Sequence, residues 1–307
     1  MEEFPGELTR SQLEALEVLQ HILSKLKDPS AKWYARYGKW VERHKNLDEF
    51  CFRCTRSSVW KFLDGKWNLD QMKLIGGNTK QDARGIYFNG IHGLDKKTRL
   101  YIGQSQNIRY RISQHWNFRY RRDNPSLHYY ALQRSDFNLF GILATIPSPS
   151  MGYHALPGMD SPDLLLNLLE MWMAIMFKCL PKQTMQEWVP EGVKVEGVFG
   201  ALNIATPLDT RQTGRREWVD LGECEDPLVR EYIDGGERKR SDVEYRDRKT
   251  DEAVDQTVGN ANRNRNKASR SKTLGYEGSG DSLVGVMVVC GIAAALGYTL
   301  WRSAKRT

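Results

Sequence analysis

The chain has 307 residues, of which 40% are hydrophobic and 27% charged, and carries a net charge of +7 at neutral pH. That length fits one main domain with appendages. The five cysteines are odd in number and scattered, and residues 1–20 are acidic with no continuous apolar run, so a secreted disulfide framework is excluded and free thiols in a cytosolic setting are expected.

Residues 7–27 carry Leu8, Leu13, Leu16, Leu19, Leu23 and Leu26 at the spacing of an amphipathic helix. Residues 32–75 hold Trp33, Trp40, Trp60 and Trp67 among mixed charges. Residues 1–83 are therefore expected to form a mostly helical region that packs on the rest of the chain or binds a protein partner. Cys51-Phe52-Arg53-Cys54 is a lone CxxC with only His44 near it in sequence. A zinc site needs two further ligands, so the spacing predicts a buried pair of thiols.

Residues 85–91 (GIYFNGI) and 99–105 (RLYIGQS) are rich in β-branched and aromatic types and flank a polar turn, 92–98. They predict a β-hairpin. Side chains alternate along a strand, which places Ile86, Phe88, Leu100 and Ile102 on one face and Tyr87 and Tyr101 together on the other. Gly103 leaves room for a close approach at the end of the second strand. Ser105 or Asn107 can cap a helix over 107–120, with Ile108, Ile112 and Trp116 as its buried stripe. Arg111 and His115 lie one turn apart beside that stripe. Two tyrosines, an arginine and a histidine brought together by local structure are suited to phosphodiester cleavage.

Charge is concentrated in the same region. Residues 84–134 hold ten Arg/Lys against two acids, whereas 135–235 hold fifteen acids against seven bases. Such asymmetry points to a polyanionic partner for the basic part. Arg109, Arg119, Arg121 and Arg122 are interleaved with Tyr110, Trp116, Phe118 and Tyr120, a mixture suited to nucleic acid through phosphate contact and base stacking.

Ser161-Pro162-Asp163 is a helix-start signal for an apolar helix running from Leu164 to Leu180. Helices apolar nearly all round are buried, and Glu170 stands in the middle of this one. A buried carboxylate must be paired or bound to a metal. The two readings are a salt bridge to a core arginine and ligation of a hard cation; one carboxylate with open water positions suits Mg²⁺ or Mn²⁺. Residues 236–281 are charged, rich in Asn, Arg and Gly, and too poor in large apolar side chains to fold, so they read as a disordered linker. Leu283–Trp301 is a 19-residue run without charge, long enough to span a bilayer. It is followed by the basic tail 302–307. The expectation is one transmembrane helix over 282–301, acting as a C-terminal tail anchor that meets the lipid bilayer through 283–301 and leaves the body cytosolic, with the organelle open.

The cluster over 84–206 resembles the GIY-YIG nuclease family. Both signature triplets stand unaltered as Gly85-Ile86-Tyr87 and Tyr101-Ile102-Gly103, and Arg111 and His115 follow at the family's spacing. His128 resembles a further histidine ahead of a short helix, Glu170 the later glutamate on an apolar helix, and Asn203 the closing asparagine. The stretch 147–163 departs from the family, being longer and richer in Pro and Gly than a minimal member needs. The resemblance implies an α/β (more narrowly α+β) fold: a small antiparallel three-stranded sheet flanked by helices, in a nuclease domain over 84–235. It implies metal-dependent hydrolysis of nucleic acid, DNA ahead of RNA. In that reaction Tyr87 is the general base, Arg111 stabilises the phosphate, Tyr101 and His115 position or assist, Glu170 holds the metal, and Gly85, Gly103, His128 and Asn203 support the site. The rival readings are a nucleic-acid-binding module that kept the fold without turnover, and a membrane-tethered scaffold.

Overall fold

The computed structural model describes residues 2–148, 155–210, 221 and 224–235. The expected linker, the run 283–301 and the tail 302–307 lie outside the described residues, as does 149–154 within the Pro- and Gly-rich stretch. Among the described residues no helix is long and apolar enough to cross a membrane. None of the described helices is the expected transmembrane helix, which falls on 282–301.

The N-terminal region is helical. In α1 (Arg10–Lys27), Thr9 and Gln12 form a reciprocal capping box, and Ala15, Val18, Leu19, Ile22 and Leu26 are its buried stripe. Four short helices follow: α2 (Tyr34–Arg43), α3 (Leu47–Cys54), α4 (Ser57–Leu63) and α5 (Leu69–Ile75). Cys51 and Cys54 on α3 are buried free thiols.

The hairpin forms as β1 (Arg84–Gly93) and β2 (Thr98–Ser105), antiparallel, with Tyr87 opposite Gly103 and Asn89 opposite Tyr101. Next come α6 (Ile108–Trp116), α7 (Phe118–Asp123), α8 (Leu127–Gln133) and the long strand β3 (Ser135–Ile146), antiparallel to β1. After α9 (Pro162–Met176) and α10 (Lys182–Trp188), the two-residue β4 (Gly200–Ala201) pairs in parallel with Arg99 and Leu100 of β2. The sheet is thus four-stranded and mixed, in the order β3-β1-β2-β4, which corrects the expected three-stranded antiparallel sheet. Two residues carry no alternation, so β4 has no signature in the sequence. The helix expected over 107–120 is also two helices. Asn117 ends α6 and begins α7, its side chain accepting from the Tyr120 amide, as a capping asparagine does.

One face of the sheet, with Ile86, Phe88, Leu100 and Ile102, shares a single core with α9 and with α1–α4. The Trp172 indole of α9 donates to the Ala15 carbonyl of α1 at 2.8 Å. The segment after α3 reaches the edge of β3, where the Arg56 amide donates to the Leu143 carbonyl at 2.9 Å. The opposite face of the sheet carries the aromatic cluster described next.

Candidate active site

Strand alternation brings Tyr87 and Tyr101 to one face, with ring centroids 6.3 Å apart. Gly103 makes this possible. A Cβ there would lie 2.5 Å from the Tyr87 hydroxyl oxygen and 2.8 Å from the Tyr101 ring. Gly85 answers a different crowding, since a Cβ there would meet the Ala144 carbonyl oxygen of β3. Asn203 extends the edge of β2 beyond β4. Its amide accepts from the Ile102 N–H at 2.9 Å and donates to the Ile102 carbonyl at 2.7 Å, so a side chain holds the backbone beneath Tyr101 and Gly103.

α6 delivers His115 against Tyr87, and the two share a buried hydrogen bond of 2.7 Å between Tyr87 Oη and His115 Nε2. α8 delivers His128, whose ring stacks on Tyr101 with centroids 4.0 Å apart and planes at 8°. His128 Nε2 is bonded to the Asn89 amide at 3.0 Å. Arg111 donates to Gln114 at 3.1 Å and to the Tyr120 hydroxyl at 3.0 Å.

Both histidines are neutral. Burial first, then Arg111 and Arg121, pushes His115 down to about 3; burial first, then His115 and Arg111, lowers His128 well below its usual value. Burial and the neighbouring Tyr101 push the Tyr87 hydroxyl well above its ordinary value, with Arg111 pulling it back. Burial, then Glu170, also raises Tyr101. Burial works against the charge of Arg111, but Tyr87 and Tyr101 more than offset it, so this guanidinium is a fixed cation.

Tyr101, Arg111, His128, Glu170 and Asn203 line one cleft of about 360 Å³, with Tyr120 and Tyr129 on its wall. The pairing with β4 ends at Leu100, so the cleft runs past the edge of β2 and joins the aromatic face to α9. Tyr87 and His115 are fully buried behind it. Glu170 accepts from Gln104 Nε2 at 2.7 Å. Its carboxylate is a hard oxygen donor at the cleft. Among the described residues no group of three His, Cys, Asp or Glu assembles around a common point. A cation here would take one carboxylate from the protein and its remaining ligands from water and phosphate, the habit of Mg²⁺; the donor set fits that group.

The arginines divide. Arg119 is exposed. Arg109 pairs with Asp82 and Arg122 with Asp123, both at 2.8 Å on the surface. Arg121 donates to the His115 carbonyl at 2.7 Å and so caps α6. Arg99, counted above with the basic stretch, is fully buried between Asp95 and Asp226, each at 2.6 Å. It ties the segment 224–235 to β2.

Sequence reasoning passed over Gln104 and Asn167, although a signal existed. Alternation puts Gln104 on the Ile102 side, facing α9, and Asn167 lies three residues before Glu170 on one helix face. No family model, curated protein or solved structure matches the chain.

Proposed function

We propose that the chain is a phosphodiester hydrolase acting on nucleic acid, DNA ahead of RNA, of the kind its GIY-YIG resemblance implies. The observation that carries this reading is the convergence of Tyr101, Arg111 and Glu170 on one cleft, with the Tyr87–His115 pair directly behind. Arg111 presents forked, permanently charged donors to a phosphate in the cleft, where charge develops as the bond breaks. Tyr101, held by its stack on His128 and by the Asn203 clamp beneath it, positions the phosphate or the attacking water. Tyr87 serves as the base; its hydroxyl is held by the bond to His115, and the charge of the neighbouring Arg111 favours loss of its proton to solvent ahead of the attack. Glu170 would hold Mg²⁺ or Mn²⁺, and such an ion supplies charge that neutralises the leaving oxygen.

The test is nicking of supercoiled plasmid by the purified chain with Mg²⁺ or Mn²⁺. Arg111→Ala and Glu170→Ala should each lower the rate by ~10²-fold or more, the usual loss for one charge-stabilising group. Full activity in both variants would overturn the assignment. One observation favours a second reading. Tyr87 is completely buried and its proton is held tightly, as suits a module that binds nucleic acid without turnover. Plasmid binding with no nicking under either metal would decide for that reading.

A further inference from the structure

The N-terminal helix α2 reaches the candidate metal carboxylate through a directed chain of hydrogen bonds. Arg36 of α2 donates to the Leu208 carbonyl at 2.9 Å and to the Thr210 carbonyl at 2.8 Å. The neighbouring Tyr37, fully buried, donates its hydroxyl proton to the same Leu208 carbonyl at 2.7 Å. A carbonyl oxygen can only accept, so the Tyr37 oxygen is left as an acceptor. Asn167 Nδ2 donates to it at 2.9 Å and to the Thr210 carbonyl at 3.2 Å. Both partners demand N–H, which fixes the orientation of the Asn167 amide and turns its Oδ1 toward Gln104. Gln104 Nε2 then donates to Asn167 Oδ1 at 2.6 Å and to Glu170 Oε2 at 2.7 Å. A primary amide nitrogen has two protons, and these two bonds use both.

We propose that Tyr37, Asn167 and Gln104 are positioning residues for Glu170, so that α2 of the N-terminal region sets the direction in which the candidate metal carboxylate is presented to the cleft. The inference rests on the nuclease reading and deepens it. The polarity of the chain matters as much as its length. With Asn167 locked, Gln104 must offer Glu170 an N–H, which supports the ionised carboxylate and pins one of its oxygens. With Asn167 free, Gln104 can turn and set a carbonyl oxygen against the carboxylate, disfavouring the charge that a cation needs. Partners behind a metal ligand commonly account for 10–100-fold in metal affinity or activity when removed.

The test uses the full chain and Mn²⁺ alone, with binding followed by water-proton relaxation and without nucleic acid. Asn167→Leu is close in volume and removes the relay. Tyr37→Phe removes one buried oxygen and keeps the ring, which covers the case of a poorly folding Asn167 variant. Both should weaken Mn²⁺ binding, by about 10-fold or more for Asn167→Leu. Metal-free affinity for DNA and the far-ultraviolet dichroism should stay unchanged. Mn²⁺ bound equally by the unsubstituted chain and by folded Tyr37→Phe and Asn167→Leu, but lost in Glu170→Ala, would overturn this inference alone. Failure of the unsubstituted chain to bind Mn²⁺, or equal binding by Glu170→Ala, would overturn the metal reading and this inference with it.

Discussion

A neutral, fully buried histidine stores a dependence on pH. His115 is pushed down to about 3 and His128 is lowered well below its usual value, in both cases chiefly by burial. In the unfolded chain each would take up a proton near pH ~6.5. Between that pH and the much lower folded values, the unfolded state binds more protons than the folded one. The stability linked to these two rings is therefore complete above pH ~6.5 and is lost as pH falls. The loss is about 1.4 kcal/mol per pH unit for each histidine once well below that value. Urea midpoints at pH 7, 6 and 5 should fall accordingly, in a range where ordinary carboxylates are still largely ionised. A flat profile would show that one or both rings accept a proton in place. At Gly103 the constraint is steric. Alanine would put a methyl carbon 2.5 Å from the Tyr87 oxygen and 2.7 Å from its Cζ, and a ring with no exposed surface has nowhere to retreat. Gly103→Ala should cost about 1–3 kcal/mol in urea unfolding and break the Tyr87–His115 bond. A fully stable variant with unchanged tyrosine absorbance would mean that β2 yields more easily than its pairing implies.

Helices α6 and α7 meet at Asn117 and present the basic face. Their arginines are not equivalent, which gives a prediction specific to each. Arg109 and Arg122 sit in exposed ion pairs, worth at most about 1 kcal/mol, and can exchange a carboxylate for a phosphate. Arg119 is exposed, whereas Arg121 is bound to the end of α6. Changing Arg109, Arg119 and Arg122 to Gln should flatten the salt dependence of DNA binding by roughly one unit of slope for each phosphate no longer neutralised and leave the fold intact. Arg121→Gln should lower the unfolding midpoint first. An unchanged slope in the triple variant would place the phosphates elsewhere. At this scale the sequence was readable over the hairpin and α9, but the four-residue period of Ile108 and Ile112 did not carry on to Trp116, which is exposed while His115 is buried in its place. Alternation over 84–105 put Tyr87 and Tyr101 on one face, and the apolar run after Ser161 located α9 with Glu170 inside it. The break at Asn117 escaped notice because a capping asparagine interrupts no apolar stripe. β4 escaped because two residues have no period. The ties from Tyr37 to Asn167 and from Arg99 to Asp226 span 130 and 127 residues, and nothing local announces a pairing of that kind.

At the scale of the whole described body, the described residues within Met1–Lys239 form one compact unit, and α9 shows why. Every residue from Leu165 to Met176 is buried. A helix has two broad sides, and the sheet covers only one of them with Ile86, Phe88, Leu100 and Ile102. The other side is covered by the N-terminal helices. Phe52 and Trp60 lie against Trp172, with ring centroids at 5.2 and 5.9 Å, and Phe62 stacks on Phe177 at 5.5 Å. Removing 1–83 would expose that entire side, far more contiguous apolar surface than a soluble monomer carries. Burying a large apolar side chain contributes about 1.5–3 kcal/mol, and a domain has only about 5–15 kcal/mol of net stability, so losing the cover of several such residues should exceed the margin. Residues 84–235 expressed alone should therefore be insoluble or bind a hydrophobic dye without cooperative unfolding, whereas 1–239 should unfold in a single transition. Adding 1–83 in trans should restore some soluble complex, because the missing surface is complementary and contiguous. A soluble 84–235 with a sharp thermal transition would show that the segment keeps a core of its own and that the N-terminal helices only dock upon it.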